Sequence, residues 1–161
     1  MDCLTRRHKH AMRTGRTSAL LFADLDNFKM VNDVHGHQRG DEVLIMLAEL
    51  LDRSVREADV TARFGGDEFA VWLDEISGAD AIAKASLMIA ANQSLEAHSG
   101  SPDYPVRLSI GIAAFDPASG ETLEALLARA DAAMYEAKHG GKGTYALAPP
   151  ANTTNQEEAT S

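Results

Sequence analysis

Two strand-like runs separated by a pair of glycines fix the centre of this fold. Val60 to Phe64 and Phe69 to Leu73 are rich in β-branched, aromatic and apolar side chains, and Gly65-Gly66-Asp67-Glu68 stands between them. Only glycine takes positive φ without steric penalty, so adjacent glycines between such runs predict a tight hairpin. A plain turn carrying two solvated acids satisfies the pattern. So does a turn bare of side chains, where backbone approaches a phosphate while the acids hold a metal ion.

The rest of the chain arranges itself around this hairpin. Ser18 to Phe22 reads as a buried strand leading to Asp24, and Phe28 to Val34 as a short helix. From Gly40-Asp41 a longer helix puts Val43, Leu44, Leu47, Leu50 and Leu51 on one 3.6-period face. Ser77 is an N-cap for a helix running to about Leu95, and Thr122 begins one that ends near Gly140-Gly141. Val106 to Ala113 and Thr144 to Leu147 read as strands. The order β-α-α-β-β-α-β-α-β predicts an α+β domain, a ferredoxin-like core with an added helix and an antiparallel-rich sheet. Residues 1–17, with Arg6, Arg7, His8, Lys9, His10, Arg13 and Arg16, read as a basic lead-in segment, a short helix with a solvated face. The domain proper is expected over 18–148. The polar stretch 149–161 lacks periodicity and is expected to be disordered.

With 161 residues, 45% of them hydrophobic, the chain has one domain's worth of core. A net charge of −9 argues against a nucleic-acid binder and requires any anionic ligand to be held by local cations or metal ions. No run is long and apolar enough to span a bilayer, and no signal peptide opens the sequence. The single cysteine, Cys3, excludes an internal disulfide and fits a reducing cytoplasm.

Asp24-Leu25-Asp26-Asn27-Phe28-Lys29 follows the first strand. Asp26 or Asn27 could simply cap the next helix. Joined by Asp67 and Glu68, the acids form a set suited to a hard divalent cation, provided that the first strand and the hairpin are neighbours. Phosphoryl and nucleotidyl transfer needs such a metal to polarise phosphate and activate a hydroxyl. His35 and His37, without a cysteine cluster, are weak evidence for zinc. Trp72 and Phe69 read as core.

These residues resemble the GGDEF family of diguanylate cyclases. The resemblance lies in Asp24-x-Asp26-x-Phe28-Lys29, Asn32-Asp33, Gly36-His37-x-x-Gly40-Asp41 and Arg63-Phe64-Gly65-Gly66-Asp67-Glu68-Phe69. It extends to Ser109-Ile110-Gly111-Ile112-Ala113 and Ala130-Asp131-x-Ala133-Met134-Tyr135-x-Ala137-Lys138. The resemblance implies a nucleotidyl-cyclase-type, mostly antiparallel five-stranded sheet. It also implies condensation of two GTP into cyclic di-GMP with release of pyrophosphate, using Mg²⁺ or Mn²⁺, two ions per active site. Asp24, the Leu25 carbonyl, Asp67 and Glu68 would be the metal set. Asp67 would lie close to the attacking 3′-hydroxyl and assist its deprotonation, with Glu68 in support. Gly65 and Gly66 would admit the triphosphate, and Lys29, Lys138 and Lys142 would neutralise it. Asn32 and Asp41 would read the guanine edge, whose N1–H and N2 amine adenine lacks. Arg56-x-x-Asp59 would be an allosteric site where the product binds and inhibits.

Three departures from the family pattern are visible. Asp2-Cys3-Leu4-Thr5 runs straight into Arg6-Arg7, without the usual Gly-Leu-x-Asn between them; position 142 is lysine where arginine is common; Gly143 stands where asparagine is usual. Each domain of the family holds one GTP, so the resemblance implies a homodimer for catalysis. An N-terminal sensor or dimerisation module, not read in this sequence, is expected as a partner. The other function considered is a catalytically weak or inactive module acting as a cyclic di-GMP or GTP receptor.

Overall fold

The strand Ser18–Leu25 (β1) is buried along its whole length, as the central strand of a sheet covered on both faces must be. The computed structural model describes residues 2–151. Around β1 the elements are α1 (Asp2–Thr14), α2 (Phe28–His35), α3 (His37–Arg53), β2 (Val60–Gly65), β3 (Glu68–Leu73), α4 (Gly78–Ala91), β4 (Leu108–Phe115), α5 (Leu123–His139) and β5 (Tyr145–Leu147). Short 3-10 helices cover Asn92–His98 and Pro117–Ser119. The strand order is β2-β3-β1-β4-β5. Every pairing is antiparallel except that of β4 with β5.

Side-chain alternation along β1 sorts the core into two layers. Ala19, Leu21, Ala23 and Leu25 face α2, α3 and α4, packing with Val43, Leu47, Leu51, Ala85 and Met88. Leu20 and Phe22 face α1 and α5, packing with Leu4, Ala11, Leu126, Ala130 and Met134. Trp72 and Phe69 are both core residues, as expected, but belong to opposite layers. The basic lead-in forms a helix that buries Leu4 and Ala11 and leaves Arg6, Lys9 and Arg13 exposed.

The structure differs from the sequence reading at several boundaries; β1 runs on to Leu25 and β4 to Phe115. Helix α3 begins at His37, because Gly36 (φ 91°) turns the chain directly out of α2. The helix predicted from Ser77 to about Leu95 stops at Ala91. There the chain tightens into a 3-10 helix, with the buried Asn92 amide donating across to the Val106 carbonyl at 3.2 Å. Strand β4 begins at Leu108, since the Val106 N–H donates to Ser99 Oγ at 2.9 Å. Of the tail expected to be disordered, residues 149–151 are irregular and 152–161 lie outside the described residues.

Candidate active site

Strands β1 and β3 are neighbours, and their register sets Asp24 directly opposite Glu68. The β2–β3 hairpin therefore delivers its acids to the end of the first strand. The turn itself needs glycine for its backbone: Gly65 has φ 137° and Gly66 φ 53°. Nothing lies within 4 Å of a Cβ built on either, so the space above the turn is open. Arg63 fixes the turn from beneath, its Nε and Nη2 donating to the Gly66 carbonyl at 3.1 and 2.9 Å.

Asp24 shares the α5 side of β1 with Leu20 and Phe22. It therefore lies under the last turn of α5, where Lys138 Nζ reaches its Oδ2 at 2.6 Å. Asp24 is only 8% exposed, and its Oδ1 is buried without a hydrogen-bond partner. Burial, and next the adjoining Asp67 carboxylate, push its pKa up to about 7 against the pull of Lys138. Lys138 is itself shifted upward: burial lowers it, but the hydrogen bond to Asp24 and the charges of Asp24, Asp26 and Asp67 outweigh that.

Two facing carboxylates and an unpartnered buried oxygen are a donor set that fits a hard divalent cation. Among the described residues no third His, Cys, Asp or Glu completes a cluster with them. Such a cation would need oxygens from a ligand or the backbone. Glu68 is half-buried opposite Asp24, and Leu25, whose carbonyl the resemblance offers as a donor, ends the strand.

The remaining predicted residues fall in four places. Lys29 is exposed in the first turn of α2. Lys142 is held near the end of β1, its Nζ donating to Asn27 Oδ1 at 3.2 Å. Asn32 and Asp41 sit on α2 and α3 where these helices cross. A Cβ on Gly40 would lie 1.8 Å from Asn32 Oδ1, so glycine there is what lets Asn32 occupy its position. Arg56 and Asp59 lie at the far end of β3, roughly 20 Å of strand from the hairpin acids. Asp59 has a fully buried side chain: Oδ1 accepts from the Asp74 N–H and Oδ2 from the Arg56 N–H, each at 2.8 Å. The Arg56 guanidinium, half-exposed, hydrogen-bonds the Asp74 carbonyl and Asp59.

Asp26, a candidate cap in the sequence, neither caps α2 nor is exposed. Asn27 occupies the N-cap position in the left-handed region without a side-chain cap. Asp26 is 1% exposed, and its carboxylate accepts from Ser109 Oγ at 2.8–2.9 Å and from the Gly143 N–H at 2.9 Å. Its two-residue spacing from Asp24 was the available signal. The partners on β4 and beyond α5 were not visible without the sheet order.

A five-stranded, mostly antiparallel sheet flanked by helices thus carries an acidic pair at its rim, capped by a lysine from the last helix. The family model described as "Diguanylate cyclase, GGDEF domain" matches residues 2–144. The chain belongs to the GGDEF family. It is 38% identical over 160 residues to the bifunctional diguanylate cyclase/cyclic di-GMP phosphodiesterase MucR of Pseudomonas aeruginosa, covering 98% of this chain and 23% of that protein. It is 45% identical over 131 residues to the diguanylate cyclase TpbB of P. aeruginosa, covering 81% of this chain and 30% of that protein. The crystal structure of the TpbB GGDEF domain superposes with a TM-score of 0.78 at 39% identity, covering 93% of each chain. The GGDEF domain of DgcB from Caulobacter crescentus, solved in complex with c-di-GMP, superposes at 0.79 and 28% identity, covering 91% of this chain and 86% of that one. The chain spans about a quarter to a third of the length of the curated relatives it matches. No helix among the described residues is long and apolar enough to cross a membrane.

Proposed function

We propose that this domain is a diguanylate cyclase, condensing two GTP into cyclic di-GMP with release of pyrophosphate. The observation that carries the reading is the Asp24–Asp67 carboxylate pair, brought together by the β1–β3 register, with Lys138 above it and an open glycine turn beside it. Asp24, Asp67 and the Leu25 carbonyl would hold Mg²⁺ or Mn²⁺, with Glu68 in support and phosphate oxygens completing the shell. The metal, when bound, supplies Lewis-acid polarisation of the phosphate and a lowered hydroxyl pKa.

The chain's own residues do the rest. Gly65 and Gly66 leave room for phosphate against backbone. Lys138, Lys142 and Lys29 bring positive charge to the β- and γ-phosphates in an otherwise acidic domain. Asp67, beside the attacking 3′-hydroxyl, accepts its proton. Asn32 and Asp41 select guanine. Each domain offers one nucleotide site, so two domains face each other in a homodimer for both bonds to form. Arg56, with Asp59 orienting it, binds the product and inhibits. The competing reading is a cyclic di-GMP or GTP receptor, favoured only by the shortened segment at Thr5-Arg6.

The test is nucleotide analysis after incubation with GTP and Mg²⁺, at high protein concentration and beside a forced-dimer fusion. Cyclic di-GMP from either form, abolished in Asp67→Ala, is the expected result. Turnover surviving Asp67→Ala would overturn the assignment of the site. No product from either form, with nucleotide still bound, would establish the receptor instead.

A further inference from the structure

We infer that Asp26 is a positioning residue for the triphosphate, holding the loop that carries Lys142 and steadying the ammonium of Lys138. This rests on the reading that the site takes GTP. The loop after α5 is improbable on its own: Gly141, Lys142 and Gly143 have φ of 135°, 60° and 60°, and Lys142 is a non-glycine in the left-handed region. Such backbone persists only where surrounding contacts over-determine it. One anchor is the Lys142 N–H donating to the Ala137 carbonyl at 3.2 Å. Another is Asp26 Oδ2, which takes the Gly143 N–H, shared with Ser109 Oγ at 3.2 Å.

Asp26 is suited to this because it is fixed from three other directions. Its own N–H donates to the Arg107 carbonyl at 2.7 Å, which ties it to the approach to β4. Ser109 Oγ donates to the carboxylate from β4 itself. Lys138 Nζ stands 3.8 Å from Oδ1, so the same carboxylate holds the ammonium that bridges to Asp24. A buried carboxylate with charge-assisted bonds is stiffer than a neutral acceptor. Asp26 thus connects β1, β4 and the loop beyond α5, and sets where two of the domain's cations stand. It touches no reacting atom. Its effect should fall on phosphate affinity and not on guanine recognition, which lies on α2 and α3.

The experiment measures GTP and GMP affinity by competition against a fluorescent GTP analogue, with Mg²⁺, for wild type, Asp26→Ala, Asp26→Asn and Ser109→Ala. Thermal unfolding runs in parallel. Asp26→Ala should lose about tenfold or more in GTP affinity while GMP affinity stays within about twofold. Ser109→Ala, which keeps the carboxylate, should lose less in the same direction, and Asp26→Asn should fall between. In cyclic di-GMP formation, KM should rise more than kcat falls. Equal losses for GTP and GMP, or unchanged GTP affinity in a variant that unfolds cooperatively, would overturn the inference. If Asp26→Ala does not fold, the GTP-to-GMP ratio of Ser109→Ala decides. Wild type binding neither nucleotide would instead sink the GTP reading on which the inference stands.

Discussion

Lys138 and Asp24 form an ion pair of 2.6 Å between the end of the last helix and the end of the first strand. Helix α5 lies directly against the sheet. At Gly111 on β4, a Cβ would come within 2.0 Å of the Ala130 carbonyl oxygen and 2.2 Å of the Met134 nitrogen. Backbone rests on backbone there, and the axis of α5 carries Lys138 to the rim.

Gly111→Ala should therefore do two things. The neighbours of the new methyl are main-chain atoms that cannot rotate aside, so helix or strand must move. A destabilisation of about 1–3 kcal/mol is expected, as for overpacking elsewhere. The displaced α5 should also weaken the Lys138–Asp24 contact and reduce cyclic di-GMP formation beyond what the stability loss explains. Urea unfolding and turnover well below the melting temperature separate the two. A variant as stable and active as wild type would mean that α5 adjusts freely.

The raised pKa of Asp24 has a consequence for stability in the metal-free protein. Its value of about 7 lies above the unfolded value near 3.9. Between those limits the folded state holds a proton that the unfolded state has released. Stability from this group is fully present below about pH 4, falls as pH rises, and is lost by the time pH passes 7. With metal chelated, the unfolding midpoint of wild type should drop relative to Asp24→Asn from pH 4 to 7 and run parallel above about pH 8. A pH-independent gap would show that Asp24 stays charged throughout.

The hairpin, the helix faces and the two glycine-rich turns were legible because each is local: a glycine pair, a 3.6-residue period, a cap. Ser77 caps its helix as read, accepting from the Asp80 N–H, and Thr122, read as the start of the last helix, is its N-cap, accepting from the Ala125 N–H. Asp24 and the hairpin acids were legible as one site once β1 and β3 are paired, which the strand order supplies. Asp26, Gly111 and the buried state of Asp59 were not legible. Each is defined by a partner far along the chain: Gly143, the α5 backbone and Asp74. The end of α4 is not legible because Leu95 keeps the apolar period and is buried, although the backbone has already tightened into a 3-10 helix.

Arg56 and Asp59 should behave differently when each is replaced by alanine. Arg56 is half-exposed, and its loss removes a guanidinium that can reach a phosphate or a base. Arg56→Ala should relieve product inhibition with little change in melting temperature. Removing Asp59 leaves the Asp74 and Arg56 N–H groups without their acceptors in a buried setting, at a cost of about 2–4 kcal/mol. Inhibition by added cyclic di-GMP and thermal unfolding should be read on both. Equal stability losses would mean that Arg56 is as structural as its partner.

Guanine selection offers the sharpest contrast between a steric and a chemical change at one spot. Gly40→Ala introduces a methyl 1.8 Å from Asn32 Oδ1 and 3.3 Å from Phe28 Cζ. The clashing atom is the tip of a half-buried side chain that can swing away, so the helix crossing should survive and melting should shift little. Asn32 is then out of place, and KM for GTP should rise about tenfold with kcat less affected. Asp41→Asn acts otherwise. Asp41 is exposed and unconstrained by Gly40, but an amide replaces one of the two acceptor oxygens by a donor NH2, which faces a donor of the guanine N1–H and N2 amine pair. GTP affinity should fall by about a hundredfold, the loss expected when a site built for paired donors leaves them unmatched. ATP should gain nothing, because an unmatched amide does not build an adenine site. If GTP affinity survived both changes, guanine would be read elsewhere than at the α2–α3 crossing.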